Sequence, residues 1–307
     1  MRNLCHHRLI VTGAASAVVF AASVNIARAQ NNPDQFASFT QGVNSPNTPY
    51  RFINTGDGST TKFGLYNADG SEVQTVTNGI TNTGIVVNFQ YQGANGLALA
   101  SGQNVQALMR FTTVVNGTTS STAIPGAGTI LSQNFQNVFI SFTLLNANGT
   151  TGGNLLTVTS FPPGPTPING TAGSGNSNPF TNGSLGSTAN LSGFQGSSNA
   201  AFSATESNTG ANYVGYTSDF LNFNQTFTNR NYTLSFANVS PALARGSNAS
   251  GADSSTYFRS FLSSGSGTFG SDPLPFLVPE PSSAALGLLP LVGMGFLRAQ
   301  RRRAVRK

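Results

Sequence analysis

From about residue 30 to residue 278, apolar and polar side chains alternate with a period of two along several stretches. In GIVVNFQYQG, Ile85, Val87, Phe89 and Tyr91 fall on one side of an extended chain. Val105, Ala107, Met109, Phe111 and Val115 do the same in NVQALMRFTTVV. NVFISFTLL repeats the pattern with Val138, Ile140, Phe142 and Leu144, and NYTLSFANV with Tyr232, Leu234 and Phe236. Successive side chains of a strand point to opposite faces, so each run predicts a strand with one buried side. Asp57-Gly58, Asp69-Gly70, Asn78-Gly79, Asn116-Gly117 and Asn148-Gly149 lie between such runs. These pairs supply the positive φ that tight hairpins require. The pattern predicts an all-β fold, an antiparallel β-sandwich of jelly-roll-like type. No amphipathic helix of any length is expected in this body, beyond a turn or two around residues 254–262.

One segment breaks the alternation. Residues 161–200 are rich in Pro, Gly, Ser and Asn, the composition of a long loop or a linker between subdomains. Strand-like sequence resumes at Ala201. Asn-Gly-Thr recurs at 116, 148 and 169, too irregularly for a β-solenoid. The chain carries 23 Phe and no Trp, so phenylalanine rings are expected to fill most of the core between the sheets.

Charge changes the picture twice. Only 8% of residues are charged, against roughly 25% in ordinary soluble domains, which leaves a polar surface built from Ser, Thr, Asn and Gly. The net charge of +6 comes from the two ends. Between Gln30 and Val278 there are six basic residues against eight acidic ones. A body without a basic patch lacks the phosphate contacts that dominate nucleic-acid binding, so no nucleic acid is expected as partner.

The N-terminal stretch MRNLCHHRLIVTGAASAVVFAASVNIARAQ has a basic start, an apolar stretch and then Ala27-Arg28-Ala29. That order is the pattern of a secretory signal peptide over residues 1–29, cut after Ala29 to leave Gln30 first. Signal peptidase is the partner this implies. Cys5, His6 and His7 leave with the peptide, so the mature chain has no Cys, His or Trp. It then offers no disulfide, no His or Cys metal ligand, no His general base and no Cys nucleophile. No cofactor and no metal are expected.

At the other end, Pro279-Glu280-Pro281 precedes an apolar run from Ser282 to Leu297, and Arg298, Arg301, Arg302 and Arg303 follow. The run is short for a transmembrane helix and contains Pro290. The basic residues after it belong on the cytoplasmic side, which places the body outside. This tripeptide, short helix and arginine cluster resemble the PEP-CTERM sorting signal, over roughly residues 278–304. The resemblance implies a substrate of an exosortase-like membrane protease. It implies export, a transient stop in the cytoplasmic membrane and processing near the tripeptide. It also implies a setting in bacteria that make extracellular polysaccharide. The expected layout is a signal peptide at 1–29, a β-sandwich ectodomain at 30–277 and a sorting signal at 278–307.

Candidate chemistry within the body is sparse. Asp57-Gly58-Ser59 and Asn67–Glu72 cluster oxygens that calcium could use, although both fit ordinary turns. Glu206 and Asp219 could form the carboxylate pair of a glycosidase, and Lys62 is the only base available to a serine nucleophile. Tyr213 and Tyr216 are candidate glycan contacts. The expectation is a non-catalytic cell-surface or extracellular-matrix protein linked to biofilm or exopolysaccharide, meeting polysaccharide or copies of itself. A carbohydrate-binding module or adhesin is the alternative, and a secreted Asp/Glu-dependent hydrolase the third reading.

Overall fold

The computed structural model describes residues 33–42, 46–92, 104–161, 189–205, 213–223, 229–246, 256–272 and 274–277. These residues form strands and turns and contain no helix. In chain order the strands are β1 (Asp34–Gln41), β2 (Tyr50–Ile53), β3 (Lys62–Leu65), β4 (Gln74–Thr77), β5 (Ile80–Thr83) and β6 (Ile85–Tyr91). Next come β7 (Val105–Val115), β8 (Ser120–Ile124), β9 (Gly128–Leu145), β10 (Thr151–Phe161), β11 (Ala189–Phe194) and β12 (Ala200–Thr205). The last are β13 (Tyr213–Thr217), β14 (Leu221–Asn222), β15 (Asn229–Ser240), β16 (Phe261–Asp272) and β17 (Phe276–Leu277).

Every strand pairing is antiparallel, as the alternation predicts. The main ladder closes on itself. It runs β1–β6–β7–β9–β11–β12–β15–β16 and returns from β16 to β1. β2 and β3 join β16 to β7 beside this path. Two separate sheets were expected; here the layers share hydrogen bonds along their edges, which leaves fewer unpaired strand edges. β9 makes this possible by its length. Its first part pairs with β8 and β11, and its later part with β7 and β10.

Most of the predicted inward positions are buried. Ile85, Val87, Phe89 and Tyr91 lie in the core, as do Ala107, Met109, Phe111, Val115, Val138, Ile140, Phe142, Tyr232, Leu234 and Phe236. Val105, at the start of β7, packs only partly against the core. Leu144 also departs from the pattern. The register between β9 and β10 slips in this region, and Leu145 is buried instead, with Leu144 packed only partly against the core. Rings dominate the centre. Phe63 meets Phe111 edge-on at 5.4 Å and Phe236 at 5.0 Å, and Phe52 stacks on Phe261 at 5.5 Å with an interplanar angle of 10°. Full burial of one such side chain stabilises a fold by about 1.5–3 kcal/mol.

Two expectations change. Residues 189–194 lie inside the expected loop, yet they form β11, with Ala189 and Leu191 buried. The Gly-rich β16 pairs with β15 on one side and with β1 and β2 on the other. The helical turn expected near 254–262 is not formed in the described residues of that span, because Phe261 already begins β16.

Candidate functional site

Three turns use one local device. The Asp57 carboxylate accepts from the Ser59 N–H at 3.0 Å and from its hydroxyl at 2.7 Å. One oxygen of Asp69 accepts both groups of Ser71, at 2.9 and 2.6 Å. Oδ1 of Asn148 does the same for Thr150, at 3.1 and 2.7 Å. Such side-chain turns mimic a backbone turn. The bonds from Ser59, the backbone bond first, lower the Asp57 pKa, and those from Ser71, the hydroxyl bond first, lower that of Asp69. The oxygen clusters read as calcium candidates are therefore engaged in holding their own turns. Among the described residues no three His, Cys, Asp or Glu side chains come together.

The other candidates also have structural partners. Asp219, in the turn after β13, accepts the Asn154 N–H of β10 at 2.7 Å, and Glu206 lies outside the described residues. The Lys62 ammonium donates to the Gly70 carbonyl at 2.7 Å and sits 4.3 Å from the centre of the Tyr66 ring. Tyr216 is corrected outright. It is fully buried, its ring 5.2 Å from Phe36 and 5.5 Å from Phe223, and its hydroxyl donates to the Asn231 carbonyl. It presents no face to a sugar, because its position on β13 points inward. The Tyr213 side chain lies outside the described residues. So do Ala27, Ala29 and Gln30, the tripeptide Pro279, Glu280 and Pro281, the apolar run, and Arg298, Arg301, Arg302 and Arg303.

What the strands bring together is an outward array that no single motif announced. On β1, β16, β15, β12 and β11, Thr40 faces Ser266, Ser266 faces Ser235, Ser235 faces Ala201 and Ala201 faces Ser192. Two residues along each strand a second row runs Ser38, Thr268, Thr233, Ser203, Asn190. On β9, Ser132 and Asn134 extend the two rows. None of these residues is buried. Between the rows lie Phe39, Gly267, Leu234, Phe202 and Leu191, which point into the core. The rows hold no charged and no aromatic side chain. At one margin Asn190 donates to Ser132 Oγ at 2.6 Å and to Asn134 Oδ1 at 2.8 Å, and at the other Ser38 accepts from Gln92 at 3.0 Å. The central hydroxyls of Ser266, Ser235, Thr268, Thr233 and Ser203 bond to no other protein group among the described residues.

Of the body's cations, Arg51, Lys62 and Arg110 lie around β2, β3 and β7, Arg230 is buried on β15, and Arg245 and Arg259 lie between β15 and β16. Arg110 grips Glu72 with two parallel bonds of 3.0 and 2.9 Å, and Arg51 donates to the Tyr66 carbonyl at 3.3 Å. Both side chains of the Arg110–Glu72 pair are more than a third exposed or close to it, at 41% and 33%. Solvent screening holds such a pair to about 0–1 kcal/mol. No protein-family model, curated protein or solved structure gives a significant match to the chain.

Proposed function

We propose that the chain is an exported, non-catalytic surface or extracellular-matrix protein, sorted by an exosortase-like enzyme, with a sandwich-like body on display outside the cytoplasmic membrane. The observation that carries this reading is the order of segments: a signal-like N-terminal stretch, the β body, Pro279-Glu280-Pro281, a short apolar run and the arginine cluster. The body is in keeping with display. Its buried aromatic residues serve packing, its Asp-Gly turns bind themselves, and the outward rows of β1, β16, β15, β12 and β11 form an uncharged array of hydroxyls and amides. That array favours a role in polysaccharide contact over the hydrolase reading, in which two carboxylates would have to face each other across a cleft.

The test is the intact mass and C-terminal peptide of the extracellular protein from its host, with and without the sorting protease. A new C-terminus near Pro279–Pro281 that depends on that enzyme is expected. Glu280→Ala is expected to leave uncleaved precursor in the membrane fraction. Unchanged export and maturation of that variant would overturn the sorting assignment.

A further inference from the structure

We propose that the outward face of β1, β16, β15, β12 and β11 binds a neutral polysaccharide strand laid across the β-strands. This deepens the display reading above and rests on it. The central positions, Ser266, Ser235, Thr268, Thr233 and Ser203, each offer a hydroxyl that both donates and accepts. Water satisfies them in the free protein. A polyol carries the same kind of group, so it can replace that water nearly one bond for one bond. Each exchange contributes little. Binding must therefore come from many weak bonds made in register, which selects a polymer over a single sugar.

Charge and composition narrow the partner. A polyanion would need a row of cations; the rows carry none, Arg51, Lys62 and Arg110 lie around β2, β3 and β7 with partners of their own, and Arg230 on β15 is buried. The core of a protein–protein interface is enriched in aromatic side chains, and the two rows hold none; Phe194 lies beyond them at the end of β11. Spacing agrees with a chain of sugar rings. Neighbouring strands stand about 4.8 Å apart, close to the length of one pyranose unit. Same-face residues along one strand are roughly 7 Å apart, so the two rows can meet opposite edges of the same polymer. The face is also held rigid from beneath. A Cβ on Gly267 would lie 2.4 Å from Leu234 and 2.6 Å from Phe39, so the strands carrying the rows are locked by close packing. A preorganised surface loses less entropy on binding.

The experiment is affinity electrophoresis of the exported, processed protein through gels containing dextran, mannan or hydroxyethyl cellulose, with alginate as the anionic comparison. Retardation by at least one neutral polymer is expected, equal at low and high salt because no ion pair is involved. The double variant Thr233→Glu, Ser203→Glu should weaken retardation at least roughly tenfold, since it forces unpaired charge against the polymer. The milder pair Thr233→Ala, Ser203→Ala should weaken it about threefold, and Gln74→Glu, on the β4–β5 hairpin, should leave it unchanged. Near-UV circular dichroism confirms that each variant is folded. Undiminished retardation of both ladder variants would overturn the inference. So would retardation by alginate alone, or by none of the neutral polymers. C-terminal processing is scored on the same samples. Normal processing without polymer binding sinks this inference and leaves the display reading intact, whereas binding without processing sinks the sorting assignment.

Discussion

At the scale of single residues, the informative groups are those whose surroundings are closed. Gly267 is one. Its missing side chain leaves space for Phe39 and Leu234 to approach β16, and Gly265 does the same for Tyr50 and Phe236. A methyl group at Gly267 forces those side chains apart, and overpacking of this kind destabilises by about 1–3 kcal/mol. Gly267→Ala is expected to lower the free energy of unfolding by that amount and the urea midpoint with it; a midpoint equal to that of the parent would show that the ring has room. Tyrosines give a second test. Burial pushes the Tyr66 hydroxyl up to about 12, with Glu72 adding to the shift, and burial likewise raises Tyr50 and Tyr91. The unfolded chain loses these protons near pH 10, before the folded chain does. Stability is therefore fully present below pH 10 and falls as pH rises from there towards 12 and beyond. Unfolding midpoints across that range should decline, and tyrosinate absorbance should grow together with the loss of structure. Tyrosinate absorbance that rose to completion near pH 10 in the intact fold would contradict the buried assignment.

At the scale of elements, Asn54 shows how a loop end is fixed. It follows β2 and is fully buried. Its amide donates to the carbonyls of Gly246 and Phe258 at 2.9 and 3.0 Å, and its oxygen accepts the Gly56 N–H at 2.8 Å. One side chain thus ties the turn after β2 to the segments before β16. Asn54→Ala leaves buried backbone groups unmatched, at a cost of about 2–4 kcal/mol. Chemical denaturation should show that loss; a change near zero would mean that water fills the place of the amide. The strands themselves were legible wherever alternation was long, as in β6, β7 and β15. β11 was not, because its few residues sit in a Ser/Gly/Asn background and only Ala189 and Leu191 mark the inward side. Glycines generally weaken a strand, but in β16 their small size admits the neighbouring rings. Tyr216 illustrates the opposite error. Near turn residues a tyrosine resembles a surface platform, but which face of β13 it occupies depends on β1, β10 and β15, none of them adjacent to it in sequence.

At the scale of the whole molecule, the ladder that closes from β16 onto β1 brings uncharged rows together. Arg51, Lys62 and Arg110 lie around β2, β3 and β7, Arg230 on β15 is buried, and the central outward rows of β1, β16, β15, β12 and β11 hold small hydroxyl and amide side chains. Composition alone announced a polar, charge-poor surface. It did not announce rows, because Ser38, Thr268, Thr233, Ser203 and Asn190 come from distant parts of the chain and meet only through strand register. By itself the sequence determined the all-β class, the antiparallel pairing through tight turns and most inward-facing positions. Those are local properties, set by the two-residue period of a strand and by the positive φ of Asx-Gly pairs. Tertiary structure alone decided that the ladder closes, that β11 and β16 belong within it, that Tyr216 is core and that the hydroxyls form a lattice. Each of those depends on which distant strands pair and in which register, and a shift of one residue would turn every row to the opposite face.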